Sequence, residues 1–459
     1  MTGRLKKIIV LLTIVFLVGC AGTSEKIVTY FGGKIINPKI NFVILYGNQI
    51  VMDTIYLDED NSFLGEIDLS KEGLYYFKHG NEHQYIYLEP QDSVLIRLNT
   101  WDFDESLVFS GKGAERNNLL MDCFLEAEKY KKKFYSYYDK SPADFRLKID
   151  SIEKKRVATY DDFDLKHPEE SAEYKSILKI ALTFPLYAKV ENYPIAHAAM
   201  SADKEQLAIN RDFYKHRDII DLNNDSVMYF YAYRDFLLSH LYNKVNMAGH
   251  SYESDEFTVS LLKTIANELK NESSRNAILR QTVIRHFYRK SSCNINKEAF
   301  DTYFQLSSNE EDKNQVKRLL NDSQKINKGK LINNFHLTDY NRIDQSLHSL
   351  IKGKNSVVYF WNTKYTSKDF IASRINFLTR EYPNINFISV EINREGKDRI
   401  KKIDIKSQYY IRDDSDAHEF LESKMPRTIL IDKKGIVTNG YASLSSRNIY
   451  RQIAQLEKN

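Results

Sequence analysis

Cysteine is scarce in this 459-residue chain: Cys20, Cys123 and Cys293 are the three present, and no two of them form a CxxC. That absence removes the paired-cysteine zinc motifs and the dithiol redox motif. The eleven histidines supply no HExxH and no dense cluster with aspartate, so neither a metal nor a cofactor is expected. No GxSxG elbow occurs, and Gly32-Gly33-Lys34 lacks both the spacing and the hydroxyl residue of a phosphate-binding loop. No apolar run reaches the length of about 20 residues that a membrane-spanning helix needs. Charge of one sign is also missing. The formal net charge is +4 and falls by three, to +1, without Arg4, Lys6 and Lys7, which gives no electrostatic case for nucleic acid. Charged residues make up 28% and hydrophobic residues 42%, a globular composition, and the length predicts two to four domains. Most of the 31 tyrosines read as core rather than as glycan platforms, because they fall in helical stripes.

At the N-terminus, Arg4, Lys6 and Lys7 precede the apolar run Ile8 to Val18. This is an export signal rather than a membrane span. Its end, Leu17-Val18-Gly19-Cys20, resembles the lipobox of bacterial lipoproteins. The resemblance implies a signal peptide over 1–19, cleavage before Cys20 and a lipid anchor on Cys20. Ala21, where an aspartate would favour inner-membrane retention, points to the outer membrane; the periplasmic side is the expected one, and the outer side stays open. Cys123 and Cys293 then remain. In an oxidising compartment they pair as a disulfide, worth about 5 kcal/mol on chain entropy, or stay as two buried thiols.

Residues 20–113 carry short β-branched and aromatic runs separated by turns such as Asp58-Glu59-Asp60-Asn61 and His79-Gly80-Asn81, so an all-β sandwich is expected. The region resembles a β domain at the N-terminus of many thioredoxin-type lipoproteins, through Gly33-Lys34-Ile35-Ile36-Asn37-Pro38, Leu88-Glu89-Pro90-Gln91-Asp92-Ser93 and Phe109-Ser110-Gly111-Lys112-Gly113. Gln91 departs from it, standing where a glycine often precedes the aspartate. Residues 114–321 turn helical, with Phe257, Leu261, Ile265 and Leu269, and then Leu279, Val283 and Phe287, recurring every four residues. Val227 to Leu241 reads as a buried central helix, and Pro142, Pro168 and Pro185 as starts or breaks. An all-α middle domain is expected, followed by a polar linker from Asp322 to Gly329.

Residues 328–459 show a βαβ…ββα order and predict a C-terminal α/β domain. Two motifs carry a closer likeness. Val357-Val358-Tyr359-Phe360-Trp361 leads into Asn362-Thr363-Lys364-Tyr365-Thr366-Ser367-Lys368, and Met425-Pro426-Arg427-Thr428-Ile429-Leu430-Ile431 runs into Asp432-Lys433-Lys434-Gly435. Together they resemble the TlpA/ResA-type thioredoxin-like lipoproteins of Gram-negative bacteria, with the catalytic CxxC missing. Tyr365 and Lys368 stand where that family has its two cysteines. The resemblance implies a thioredoxin-like fold, a cis Pro426, and a peptide groove beside Trp361, Tyr365 and Met425. The family's thiol–disulfide exchange needs a thiolate, which a phenol and an ammonium cannot supply. The turn at Thr366, Ser367 and Lys368 is either a small anion site or a plain surface turn. The retained Met425-Pro426 either holds an extended peptide or only shapes its loop.

Three parts are therefore expected: an N-terminal all-β sandwich, an all-α middle domain and a C-terminal α/β thioredoxin-like domain. No catalytic residue is assigned. The leading reading is a lipid-anchored envelope protein that binds or scaffolds a protein or peptide partner. The alternative is a thiol–disulfide oxidoreductase working through Cys123 and Cys293.

Overall fold

The computed structural model describes residues 28–200, 209–252, 254–292, 295–392 and 403–458. The signal segment 1–19, Cys20 and Cys293 lie outside them. Compactness divides the chain into two units, one formed by Met1–Lys133 with Lys154–Thr183, the other by Phe134–Glu153 with Phe184–Asn459.

In the first unit, eight strands form two four-stranded sheets. They are β1 (Thr29–Ile36), β2 (Phe42–Gly47), β3 (Ile50–Tyr56), β4 (Ser62–Ile67), β5 (Gly73–His79), β6 (Glu82–Leu88), β7 (Ser93–Asn99) and β8 (Val108–Lys112). The sheet orders are β4-β1-β7-β8 and β3-β2-β5-β6. Alternating residues of both sheets, among them Phe31, Ile35, Val43, Leu45, Phe77 and Ile96, share one core, which makes the pair a sandwich. A short helix α1 (Phe103–Ser106) precedes β8, and α2 (Ala114–Tyr135) follows it.

Two glycines of the sequence motifs have a steric reason. A Cβ on Gly33 would lie 2.0 Å from the Ile96 carbonyl oxygen, and one on Gly113 2.7 Å from the Asp92 carboxylate. That carboxylate is the hinge of the unit. It accepts from the Glu89 N–H at 2.8 Å and holds the buried Arg116 guanidinium at 2.7 and 2.8 Å, and Arg116 also reaches Glu89 and Glu170.

Helices continue through α3 (Pro142–Lys166), α4 (Ala172–Met200), α5 (Tyr231–Met247), α6 (Asp255–Glu268), α7 (Glu272–Lys290), α8 (Lys297–Leu306) and α9 (Glu310–Lys325). Pro142 opens α3 behind the Ser141 cap, as its fixed φ suits. Pro185 does not break the chain as expected. It lies inside α4 with Pro194, where buried neighbours such as Leu182, Leu186 and Val190 offset the roughly 3 kcal/mol that an interior proline costs. The polar linker is corrected too: Asp322 to Lys325 form the last turn of α9, and Asp322 is buried. No described helix is long and apolar enough to cross a membrane.

The C-terminal part of the second unit is a seven-stranded sheet built from β9 (His336–Asp339), β10 (Asp344–Ser346), β11 (Ser356–Trp361), β12 (Asn386–Glu391), β13 (Gln408–Tyr410), β14 (Arg427–Ile431) and β15 (Val437–Ala442), in the order β10-β9-β13-β12-β11-β14-β15. The central strand β11 runs parallel to β12 and antiparallel to β14. Every residue of β11 is buried, as a strand covered on both faces must be. Val358 and Phe360 face a core shared with α10 (Leu347–Ile351). Val357, Tyr359 and Trp361 face the opposite core, beneath α11 (Lys368–Glu381) and α12 (Asn448–Lys458).

Candidate functional site

The segment after β11 is a turn whose donors are already engaged. Asn362 takes the Lys364 N–H on its side chain and the Tyr365 and Thr366 N–H groups on its carbonyl. Ser367 caps α11 by accepting from the Phe370 N–H. Tyr365 thus stands two residues before the cap, and Lys368 is the first helical residue. Of the backbone donors in the anion reading of Thr366, Ser367 and Lys368, the Thr366 N–H is engaged in this way.

Trp361 was expected to border a groove. It is fully buried in the core under α11 and α12, because its place in the strand alternation points it there. The cis expectation at Pro426 is also corrected: no cis peptide bond occurs among the described residues. Trans is the default for a residue before proline by about 0.5–1 kcal/mol, and the chain's own contacts hold the loop in that form. The Asp322 carboxylate of α9 accepts from the Glu422 N–H at 2.8 Å, the Ser423 N–H at 3.0 Å and the Ser423 hydroxyl at 2.6 Å. Ser423 Oγ in turn accepts from the Met425 N–H at 3.2 Å. Burial, the leading influence, raises the pKa of Asp322, and these donors with the nearby Arg427 work against it.

Helix α7 closes the other side. Tyr288 donates its hydroxyl to the Pro426 carbonyl at 2.9 Å, and burial holds that phenol well above its ordinary pKa. Tyr441 on β15 packs edge-on against Phe287, with ring centroids 4.7 Å apart. Ser291, just past α7 in a left-handed conformation, accepts from the Ser443 N–H on its hydroxyl and from Asn439 and Gln452 on its carbonyl. Gln315 of α9 donates to the Tyr365 hydroxyl at 3.1 Å. Beneath these contacts lies a cavity of about 260 Å³, lined by Tyr288, Tyr359, Tyr365, Met425, Pro426 and Thr428 among others. Burial pushes the Tyr359 phenol up to about 12.

The structure thus brings Tyr365, Met425 and Pro426 to one cavity and leaves Trp361 behind it. It adds Tyr288, Gln315, Ser291 and Asp322, which sequence reasoning missed. Tyr288 follows Phe287 in a regular apolar stripe, and Asp322 sits in a polar segment, so neither carried a signal of its own. A bond within the loop occupies the Met425 N–H, and a bond from the distant Tyr288 occupies the Pro426 carbonyl. A peptide adding itself as a strand needs both kinds of group.

Of the remaining thiols, Cys123 is free and 5% exposed on α2. Burial pushes it up to about 12, so it carries almost no thiolate near neutral pH. A second ionisable cluster lies around Glu191 of α4, which is fully buried. Arg217 grips it at 2.7 and 2.5 Å, with His216 at 3.0 Å, Asn243 at 2.7 Å and His240 at 3.3 Å. Burial raises its pKa, but the hydrogen bonds from Arg217, His216 and His240 prevail and hold the carboxyl far below the usual range. A carboxylate so enclosed joins helices and is no accessible base. Among the described residues no group of three His, Cys, Asp or Glu is placed to hold a metal ion.

No family model and no curated protein matches the chain. Solved structures similar to it include the thioredoxin domain of a thiol-disulfide oxidoreductase from Bacteroides vulgatus, 20% identical over 28% of this chain and 97% of that one, with a TM-score of 0.24. A thiol:disulfide interchange protein from Bacteroides sp. is 20% identical over 29% of this chain and 92% of its own, with a TM-score of 0.24. The exposed lipoprotein thioredoxin of Streptococcus pneumoniae is 17% identical over 27% of this chain and all of its own, with a TM-score of 0.21. In this chain, β11 lies between parallel β12 and antiparallel β14, and helices cover both faces. The C-terminal domain is therefore an α/β domain with a parallel central pair and an antiparallel closing hairpin. No cysteine lies C-terminal to Cys293, so the domain holds none.

Proposed function

We propose that the protein is a redox-inactive, thioredoxin-like lipoprotein of the bacterial cell envelope, anchored through Cys20 in the outer membrane and facing the periplasm, whose role is to bind or scaffold an envelope protein. Tyr365 and Lys368 take the places of the family's cysteines. The observation that carries the reading is the closure of the proline loop from within, by Tyr288 on the Pro426 carbonyl and by Ser423 on the Met425 N–H. In place of presenting an open substrate groove, the thioredoxin-like domain acts as a seat for α7 and α9, so partner recognition falls to other surfaces.

The alternative, an oxidoreductase using Cys123 and Cys293, is disfavoured by the buried, undissociated thiol of Cys123. The test has two arms. The mature chain is expected to give no turnover in reduction of insulin disulfides, and crosslinking in intact envelopes is expected to trap a saturable protein partner. Turnover abolished by C123S or C293S would replace this reading with the alternative. Absence of any partner across growth conditions would remove the scaffolding role.

A further inference from the structure

The register of the sandwich places three landmarks at one of its ends. The chain enters at Thr29, whose hydroxyl donates to the Glu89 carbonyl at 3.2 Å, just beyond β6. Leu88, the last residue of β6, pairs with Gly73, the first of β5. Tyr76 of β5 pairs with Tyr46, one residue from the end of β2. The β2–β3 turn, Asn48 and Gln49, therefore projects from the same end as Thr29, about 10–14 Å to the side of the end of β6, two to three strand spacings away.

That turn leads directly into Ile50, Val51 and Met52, exposed by 70%, 51% and 39%. Three consecutive apolar side chains open to water are not explained by the sandwich core, which they do not join. The charges at this end are mostly acidic: Asp53 directly follows the toe, Asp68 and Lys71 are exposed, Glu173 lies beside Gly73, and Glu72 accepts from the Tyr87 hydroxyl at 2.7 Å. The toe itself is apolar and carries no charge. β3 is also an edge strand, protected at Asp53 and at the irregular register opposite Leu45 and Tyr46, while Ile50 to Met52 carry no charge or proline.

We infer that Ile50, Val51 and Met52 form an apolar toe that seats in the hydrocarbon boundary of the bilayer to which the protein is tethered. The inference rests on the lipid-anchor reading. Eight residues, 21–28, separate Cys20 from Thr29, and a fully extended connection of that length reaches at most about 30 Å. The toe thus lies at the end where the tether joins, within reach of the bilayer. An apolar element at a membrane surface settles roughly 5–10 Å into the headgroup and acyl boundary, a depth that a two-residue hairpin tip can reach. The toe would set which end of the sandwich faces the lipid, while the anchor supplies the retention.

The molecule carries its own control. Trp101, 78% exposed, follows Thr100, whose N–H bonds to Ile36 at the opposite end of β1, roughly 20 Å away along the strands. The full lipidated chain is reconstituted into vesicles of phosphatidylethanolamine and phosphatidylglycerol with brominated acyl chains. Ile50→Trp is the reporter, at a position exposed enough to take an indole without entering the core. V51W serves if I50W misfolds. The I50W indole should shift to the blue and be quenched by roughly half or more at a seating depth of about 5–10 Å, independently of salt, while Trp101 in the parent chain stays unquenched.

A chain that floats with the vesicles but leaves the I50W indole unquenched overturns the toe and spares the anchor. A lipid-independent blue shift that grows with protein concentration overturns it in favour of strand pairing between copies along β3. A chain that does not float, and behaves like its C20A variant, overturns the anchor reading and the toe with it.

Discussion

Replacing Asp322 tests whether the proline loop is closed by helix α9. The carboxylate accepts from two backbone N–H groups and one hydroxyl, all between 2.6 and 3.0 Å, on residues 100 and 101 positions away. In D322A the Ser423 hydroxyl can turn to another acceptor, but the Glu422 and Ser423 N–H groups cannot. A buried donor left without a partner costs about 1–3 kcal/mol, so the pair should cost about 3 kcal/mol once some water enters the gap.

D322N separates charge from geometry. Its single amide oxygen can keep the Ser423 N–H and hydroxyl, which share Oδ2, but its NH2 group then faces the Glu422 N–H that held Oδ1. The loss should therefore be smaller than in D322A, about 1 kcal/mol for the one displaced donor. A chain of two compact units does not unfold as a single step, so the assay must be local. Hydrogen exchange of the peptide spanning Leu421 to Met425 should accelerate about 100-fold in D322A, as about 3 kcal/mol implies, and less than about tenfold in D322N. Unchanged exchange in D322A, or equal acceleration in both variants, would refute the clamp.

Tyr288→Phe removes the donor to the Pro426 carbonyl and should cost about 1–2 kcal/mol, seen as faster proteolysis within the 421–428 loop. Gln91 holds φ 70, a conformation that costs a side-chain-bearing residue about 1–2 kcal/mol. Q91G should therefore raise the thermal midpoint of the sandwich, and a lowered midpoint would show that the Gln91 side chain contributes contacts of its own. Glu191 has a lowered pKa in the folded chain, so its stabilisation is fully present above the ordinary carboxylate pKa of about 4.3 and is lost as pH falls through the depressed value. E191Q, by removing the charge that faces Arg217, should destabilise by about 3–5 kcal/mol at neutral pH and flatten the acid limb of the melting curve. An unchanged acid limb would place the pH sensitivity elsewhere.

What was legible in the sequence was whatever repeats over short distances. The unbroken apolar run from Val357 to Trp361 marked a buried strand, the four-residue recurrence of Leu279, Val283 and Phe287 marked α7, and Gln91 stood out as a departure from the motif that its region resembles. The errors have a common cause. Trp361 was assigned to a groove from its neighbours in the motif, yet strand alternation, also visible in the sequence, turns it into the core with Tyr359. Asp322 was read as linker because its segment is polar, yet its partners lie 100 and 101 residues away. Tyr288 reaches Pro426 across 138 residues.

A pair bond of that span imposes no spacing on either segment, so nothing local distinguishes a tyrosine that closes a groove from one that fills a stripe. The same reasoning limits what the missing cysteines mean. Their absence excludes dithiol exchange in this domain from sequence alone. It does not say what the vacated surface became, because that depends on which distant side chains arrive there. In this chain those arrivals are Tyr288 and Gln315 from helices preceding the C-terminal domain, with Asp322 clamping the adjoining loop. They make this surface an internal joint, so variants at the joint should alter loop exchange and proteolysis before they alter any partner bound elsewhere.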